Sequence, residues 1–318
     1  MRGPGRGGPE CGALNDAATM PVKGALTVCS KIQSAEGGEY HMPNQMTADY
    51  VKPNDLAKLM VDAGEAKVCL STRDTLIRAF MAGAILALAA VFAITIAIKT
   101  GSPLTGAILF PVGFILIYLL GFDLLTGVFM LVPLALLDRR PGVTAAQVLR
   151  NWGLVFIGNF AGAITVAFMM SFILTYGYTV NGGLIAEKVA HIGMARTLGY
   201  EEHGLPGWFT IFIRGILCNW MVSTGVAAAM LSTSAIGKIF AMWMPIMLFF
   251  YMGFEHSVVN MFLFPFALIM GGDFTFMDYL LWNEIPTALG NLVGGLLFVG
   301  LIMFITHYKP APKRVLEL

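Results

Sequence analysis

Charged side chains are what this chain of 318 residues has least of: Asp, Glu, Lys and Arg together make up 12%, about half of the ~25% usual in a soluble domain. That shortage excludes an ordinary soluble fold. The net charge of +1 says nothing of partners, and there is no basic stripe to suit nucleic acid. The four cysteines, Cys11, Cys29, Cys69 and Cys218, show no paired spacing, so they indicate neither a disulfide framework nor a Cys-rich metal site. No Gly-Lys-Ser/Thr phosphate loop and no zinc-ligand pair occur. Of the five histidines, only His256 lies inside an apolar segment, so paired ligands for haem or metal are missing as well. No cofactor and no enzymatic activity are expected. Residues 1–45 lack the apolar core of a cleavable signal peptide.

What the chain has in plenty is apolar sequence, with 57% hydrophobic residues and a mean hydropathy of +0.74. Runs such as Ala79–Ile98, Gly153–Leu174 and Thr287–Ile305 each approach the ~20 residues needed to cross a bilayer core. Six spans are predicted, over about 75–98, 104–137, 148–175, 207–231, 237–270 and 284–306, each helical because backbone polar groups in lipid must be satisfied internally. The second and fifth are too long for one straight crossing. They are interrupted at Gly121-Phe122-Asp123 and at Gly253-Phe254-Glu255-His256.

The domain plan follows. Residues 1–45, rich in Gly, Pro and small polar side chains, are expected to be a disordered tail. Residues 46–73 should form a cytoplasmic interfacial helix, with Leu56, Leu59, Met60 and Ala63 on one face and Lys58, Asp62, Glu65 and Lys67 on the other. Residues 74–307 form the transmembrane domain and 308–318 a cytoplasmic tail. Arg73, Arg78, Arg139, Arg140, Arg150, Lys238, Lys309, Lys313 and Arg314 fall on the side of both termini, which places the termini in the cytoplasm.

An internal repeat organises the spans. Gly121-Phe122-Asp123 matches Gly253-Phe254-Glu255 at an offset of 132 residues (255 minus 123), and so do Pro133 with Pro265 and Gly158-Asn159-x-x-Gly162 with Gly290-Asn291-x-x-Gly294. Ile77-Arg78 resembles Ile213-Arg214 at an offset of 136. Two halves of three helices each must enter the membrane from opposite sides, so the repeats are inverted. Inverted repeats with matching interrupted helices point to a transport site at mid-membrane. The Gly-x-x-x-Gly pairs allow close helix packing.

Asp123, Glu255 and His256 sit where an acid costs at least ~2.5–3.5 kcal/mol on insertion scales, so they must face protein, water or one another. Asp123 is expected to cap the unwound loop of helix two, using donors freed at the following half-helix. Glu255 should cap in the same way or anchor His256 by accepting its ring N–H. An imidazole titrates near pH ~6.5, so His256 can donate a hydrogen bond to an anion in transit or hand it a proton. Thr126 should pair with His256 across the pseudo-twofold axis, and Asn219 or Asn260 should complete the network. Phe110, Phe114, Phe249 and Leu124 lie beside the breaks as bulky apolar constrictions. A neutral-solute pore of the aquaporin type would want paired Asn-Pro-Ala motifs at the breaks, and there are none.

The stretch Gly253-Phe254-Glu255-His256-Ser257-Val258-Val259-Asn260-Met261, with Gly121-x-Asp123-Leu124-x-Thr126, Gly215-Ile216-Leu217-Cys218-Asn219, Pro286 and Gly290-Asn291-x-x-Gly294-Gly295, resembles the formate/nitrite transporter family over about residues 50–309. The resemblance implies an all-α, aquaporin-like bundle and a homopentamer with one pore per protomer in a bacterial or archaeal cytoplasmic membrane. It implies passive or proton-coupled passage of small monovalent anions, formate or nitrite foremost, with hydrosulfide or short-chain carboxylates as alternatives. His256 then corresponds to the central pore histidine and Thr126 to its hydroxyl partner. Phe110 and Phe249 fall at the outer constriction, Phe114 and Leu124 at the inner one, where Phe114 departs from the leucine of formate channels. The family's anion-attracting lysine belongs to the segment 176–208, where Lys188 is the candidate.

Overall fold

The structure is a computed structural model, and it describes residues 50–311. The expectations for 1–45 and for the end of the C-terminal tail lie outside the described residues. Ahead of the spans, α1 (Pro53–Cys69) starts on Pro53, whose missing N–H is no loss at a helix start. The first span is α2 (Thr72–Thr100), opened by the Ser71 hydroxyl accepting from Asp74 N–H and closed by Gly101 in the left-handed region.

Span two is broken into α3 (Pro103–Leu119) and α4 (Leu125–Leu137), and span five into α9 (Ala235–Tyr251) and α10 (Ser257–Ile269). Spans three, four and six are α5 (Ala145–Leu174), α8 (Gly204–Leu231) and α11 (Phe276–Tyr308). Each break begins on a glycine with positive φ, 69° at Gly121 and 64° at Gly253, a conformation that costs other residues a Cβ clash. The chain then runs extended through Leu124 and His256 before helix resumes. The half-helices α4 and α10 are almost wholly buried, so the centre of the molecule is built from the two interrupted spans.

The first and third helices of each half pack through the predicted glycines. A Cβ on Gly162 would lie 2.0 Å from the Phe80 carbonyl oxygen in α2, and one on Gly294 would lie 2.2 Å from that of Ile216 in α8. The segment 176–208 is itself helical, forming α6 (Gly183–Ala195) and the single turn α7 (Leu198–Glu201).

α1 differs from its expected orientation. Its buried face is Leu56, Ala57, Met60, Val61, Gly64, Glu65 and Val68, while Leu59 is 42% exposed. Glu65 and Asp62 turn to Arg140, at 3.1 and 2.7 Å, and Arg140 also holds Asp138 at 2.8 Å. Asp138 in turn meets the Tyr308 hydroxyl at 2.9 Å and the Lys309 ammonium at 3.1 Å. One guanidinium therefore ties α1, the turn after α4 and the end of α11 together.

Candidate functional site

The breaks are held by asparagines. In the first half, Asn159 on α5 donates to the carbonyls of Ala79 (2.7 Å) and Asp123 (2.9 Å) and accepts the N–H of Leu125 (2.9 Å). In the second, Asn291 on α11 donates to the carbonyls of Gly215 (2.9 Å) and Glu255 (2.9 Å) and accepts the N–H of Ser257 (2.9 Å). The partners repeat at the sequence offsets, so one amide per half satisfies the backbone groups that an interrupted helix leaves open. Asp123 and Glu255 do not cap these helices. Their carboxylates meet side chains instead.

Each carboxylate faces a base. Asp123 pairs with Lys67 of α1, whose backbone carbonyl receives the Asn151 amide at 3.1 Å. Glu255 Oε1 lies 3.7 Å from Arg196 Nε, and the Arg196 carbonyl receives the Asn283 amide at 3.0 Å. Asn151 and Asn283 are again 132 apart (283 minus 151). Glu255 Oε2 accepts from Asn260 at 3.0 Å and from Asn283 at 3.4 Å. It does not take the imidazole N–H, so the expected Glu255–His256 anchor is replaced by these amides.

His256 is 1% exposed. Its Nδ1 accepts the Val259 N–H at 3.2 Å, and its Nε2 lies 3.3 Å from Thr126 Oγ1. A backbone N–H can only donate, so Nδ1 is the bare nitrogen and the neutral ring carries its proton on Nε2, toward the threonine. Thr126 is itself located by Asn219, which donates to its carbonyl at 3.1 Å and to that of Asn291 at 2.6 Å.

Phe249 stacks on the His256 ring at 5.5 Å and meets Phe110 edge-on at 5.8 Å. A cavity of about 560 Å³ is lined by His256, Phe249, Asn260, Arg196 and Lys188. Another, of about 170 Å³, lies at the other break and is lined by Phe114, Leu124 and Lys67. The aromatic pair thus stands at the histidine's side of the site and Phe114 with Leu124 at the α1 side.

The formate/nitrite transporter family model matches residues 54–305. The chain belongs to the formate/nitrite transporter family. It is 35% identical to the uncharacterized transporter YrhG of Bacillus subtilis, over 83% of this chain and 96% of that one. It is 34% identical to the probable formate transporter of Methanothermobacter thermautotrophicus, over 83% of this chain and all of that one (100%). Among solved structures, a pentameric formate channel with formate bound superposes with a TM-score of 0.61 at 26% identity, covering 73% of this chain and 96% of that chain. The family is one of membrane channels and transporters rather than enzymes, and the fold matches theirs.

Within this family framework, the sequence points to the acids, the histidine, Thr126, Asn219 and Asn260, and misses the two bases and the asparagines that brace the breaks. Lys188 lines the larger cavity without an ion pair among the described residues, whereas Arg196, which was not singled out as a site, is the base beside Glu255. Lys67, on the face of α1 opposite the expected apolar one, meets Asp123. Asn159 and Asn291 were seen only as part of packing motifs. Their place in the 132-residue repeat, beside the repeated acids, was the available signal. Nothing in the pattern pointed to Glu284, which is fully enclosed and hydrogen-bonded by Ser257 and Tyr279.

Proposed function

We propose that this chain is a pore for small monovalent anions of weak acids, formate first and nitrite second, with His256 as the group that hydrogen-bonds or protonates the anion. The observation that carries the reading is the His256 Nε2–Thr126 Oγ1 contact of 3.3 Å, formed where the interrupted helices of the two halves meet. It leaves a ring N–H shared with a rotatable hydroxyl, at a point lined on either side by apolar groups. A bare formate ion would meet a steep desolvation barrier between Phe110, Phe249, Phe114 and Leu124. For His256 to protonate the anion, the ring must first take a proton from water in the cavity at Nδ1, releasing the Val259 N–H. The Nε2 proton then passed to the anion removes its charge and the barrier, and the ring is neutral again. Arg196 and Lys188 supply positive charge in the larger cavity and draw the anion in, Lys188 being the candidate for the family's anion-attracting lysine.

Two relatives of similar identity, 34% and 35%, are described as a probable formate transporter and a formate channel, which favours formate for this chain. The pentameric neighbour supports a homopentamer. The excess of basic residues on one side supports an orientation with the termini and α1 in the cytoplasm, and we take the membrane to be a bacterial or archaeal inner membrane.

The test is a proteoliposome flux panel with formate, nitrite, hydrosulfide and acetate at acidic and neutral pH. Formate uptake should exceed the others and rise in acid. Hydrosulfide or acetate outpacing formate would reassign the substrate within the family, and absence of flux for all four would sink the reading.

A further inference from the structure

Glu284 is 2% exposed, lies inside α11, and has no part in the transport reading. The π-turn Leu280–Glu284 explains how it comes to be buried beside Asn283. Successive residues of a regular helix diverge by ~100° around the axis, and a π-turn at such a point re-aims them. Asn283 joins the Glu255 cluster, while Glu284 turns to Ser257 Oγ and, at 2.8 Å, to the Tyr279 hydroxyl. Ser257 is the residue after His256, and its backbone N–H is pinned by Asn291.

The two neighbouring carboxylates are cradled differently. Glu255 is met by two amide NH₂ groups and a guanidinium, groups that only donate. Glu284 is met by two hydroxyls, each able to donate or accept. Both can donate to a carboxylate, or one can accept the O–H of a carboxylic acid, so a proton on Glu284 finds an acceptor already in place. No base offsets a charge on Glu284 among the described residues. Arg196 points to Glu255, Arg214 is engaged by the Tyr200 hydroxyl and the Met252 carbonyl, and His256 is held by Val259 and Thr126. Cys218, on α8 packed beside this turn, brings no positive charge. At the equivalent places of the first half stand Trp152 and Leu125 (284 and 257, each minus 132), so the arrangement belongs to the histidine's half alone.

We propose that Glu284, with Ser257 and Tyr279, is a proton-binding site whose occupancy acts on the His256 loop through Ser257 and adds a step to the pH dependence of transport. The site itself stands on the geometry; its effect on flux rests on the transport reading.

Infrared difference spectroscopy of the full-length oligomer in lipid, with ¹³C-labelled glutamate and stepped pH, tests it. Wild type should show a labelled carboxylic-acid carbonyl band at neutral pH that Glu284→Gln abolishes, and Ser257→Ala and Tyr279→Phe should each shift that band. Formate uptake by Glu284→Gln should stay within about twofold of wild type at its optimum, a change too small for loss of a core group, while its pH profile loses one step. Identical spectra for wild type and Glu284→Gln at every pH would make Glu284 an ionised structural acceptor and overturn the proposal. So would an unchanged flux profile once the band is seen. Should Glu284→Gln fail to assemble, unshifted bands in both hydroxyl variants overturn it equally. A band present with no anion flux at all would count against the transport reading and leave the proton site standing.

Discussion

At the scale of single residues, the asparagines and the histidine have separable jobs. Removing Asn159 or Asn291 deletes three hydrogen bonds each, worth about 1 kcal/mol apiece. Asn159→Ala and Asn291→Ala should therefore lose roughly 3 kcal/mol of stability, read as a lower thermal midpoint of the purified protein; midpoints equal to wild type would refute the bracing role. Thr126→Val keeps shape and removes only the hydroxyl. Loss of that one contact, about 1 kcal/mol, should slow formate uptake several-fold without unfolding the chain. His256→Asn should do more, flattening the rise of uptake in acid, and an unaltered pH profile would remove the ring from the mechanism. The sequence disclosed His256 because a lone imidazole in an apolar span is conspicuous. It disclosed the asparagines poorly, because Asn in a small-residue motif has the same spelling whether it braces a loop or fills a helix contact.

At the scale of elements, helix distance is the controlled variable. The close approach of α5 to α2 and of α11 to α8 leaves no room for a methyl group at Gly162 or Gly294. Gly162→Ala and Gly294→Ala should each cost about 1–3 kcal/mol through forced backbone shifts, visible as lowered thermal stability, whereas Gly153→Ala, with open space around it, should be neutral. Near-equal effects at all three would show that the glycines are not there for packing. α1 is the element whose periodicity misled. Leu56 and Met60 do fall on the buried face and Leu59 does not, because burial is decided by the partner surface, and that surface offers Arg140 to Glu65 and Asp123 to Lys67. An acid and a lysine on the polar stripe are thereby drawn inward. Pairing of this kind depends on groups 56 and 75 residues away, which no local pattern contains.

At the scale of the whole molecule, the Arg140 clamp joins the two ends of the described chain, so its pH response is a property of the assembly. Burial pushes the Asp138 carboxyl up, but hydrogen bonds from Tyr308, Lys309 and Arg140 outweigh it and hold the group below its ordinary value. A carboxyl lowered on folding contributes stability above its unfolded value, near ~3.9, and loses it as pH falls through the folded value. The stability gap between wild type and Asp138→Asn should thus be constant from neutral pH down to about 5 and close only in stronger acid. Thermal unfolding against pH would measure it, and a gap that closes near neutrality would assign the pH dependence elsewhere.

The sequence by itself determined the apolar spans, the two breaks and their relation by an inverted repeat, because bilayer thickness sets span length and duplicated motifs keep their spacing whatever the fold does. It also determined which residues were out of place in lipid. Only the tertiary structure decided the further partners: Lys67 for Asp123, Arg196 with Asn260 and Asn283 for Glu255, and two hydroxyls for Glu284. Those choices come from packing distant segments together, where a hydrogen bond depends on tenths of an ångström and on which group each helix turns inward.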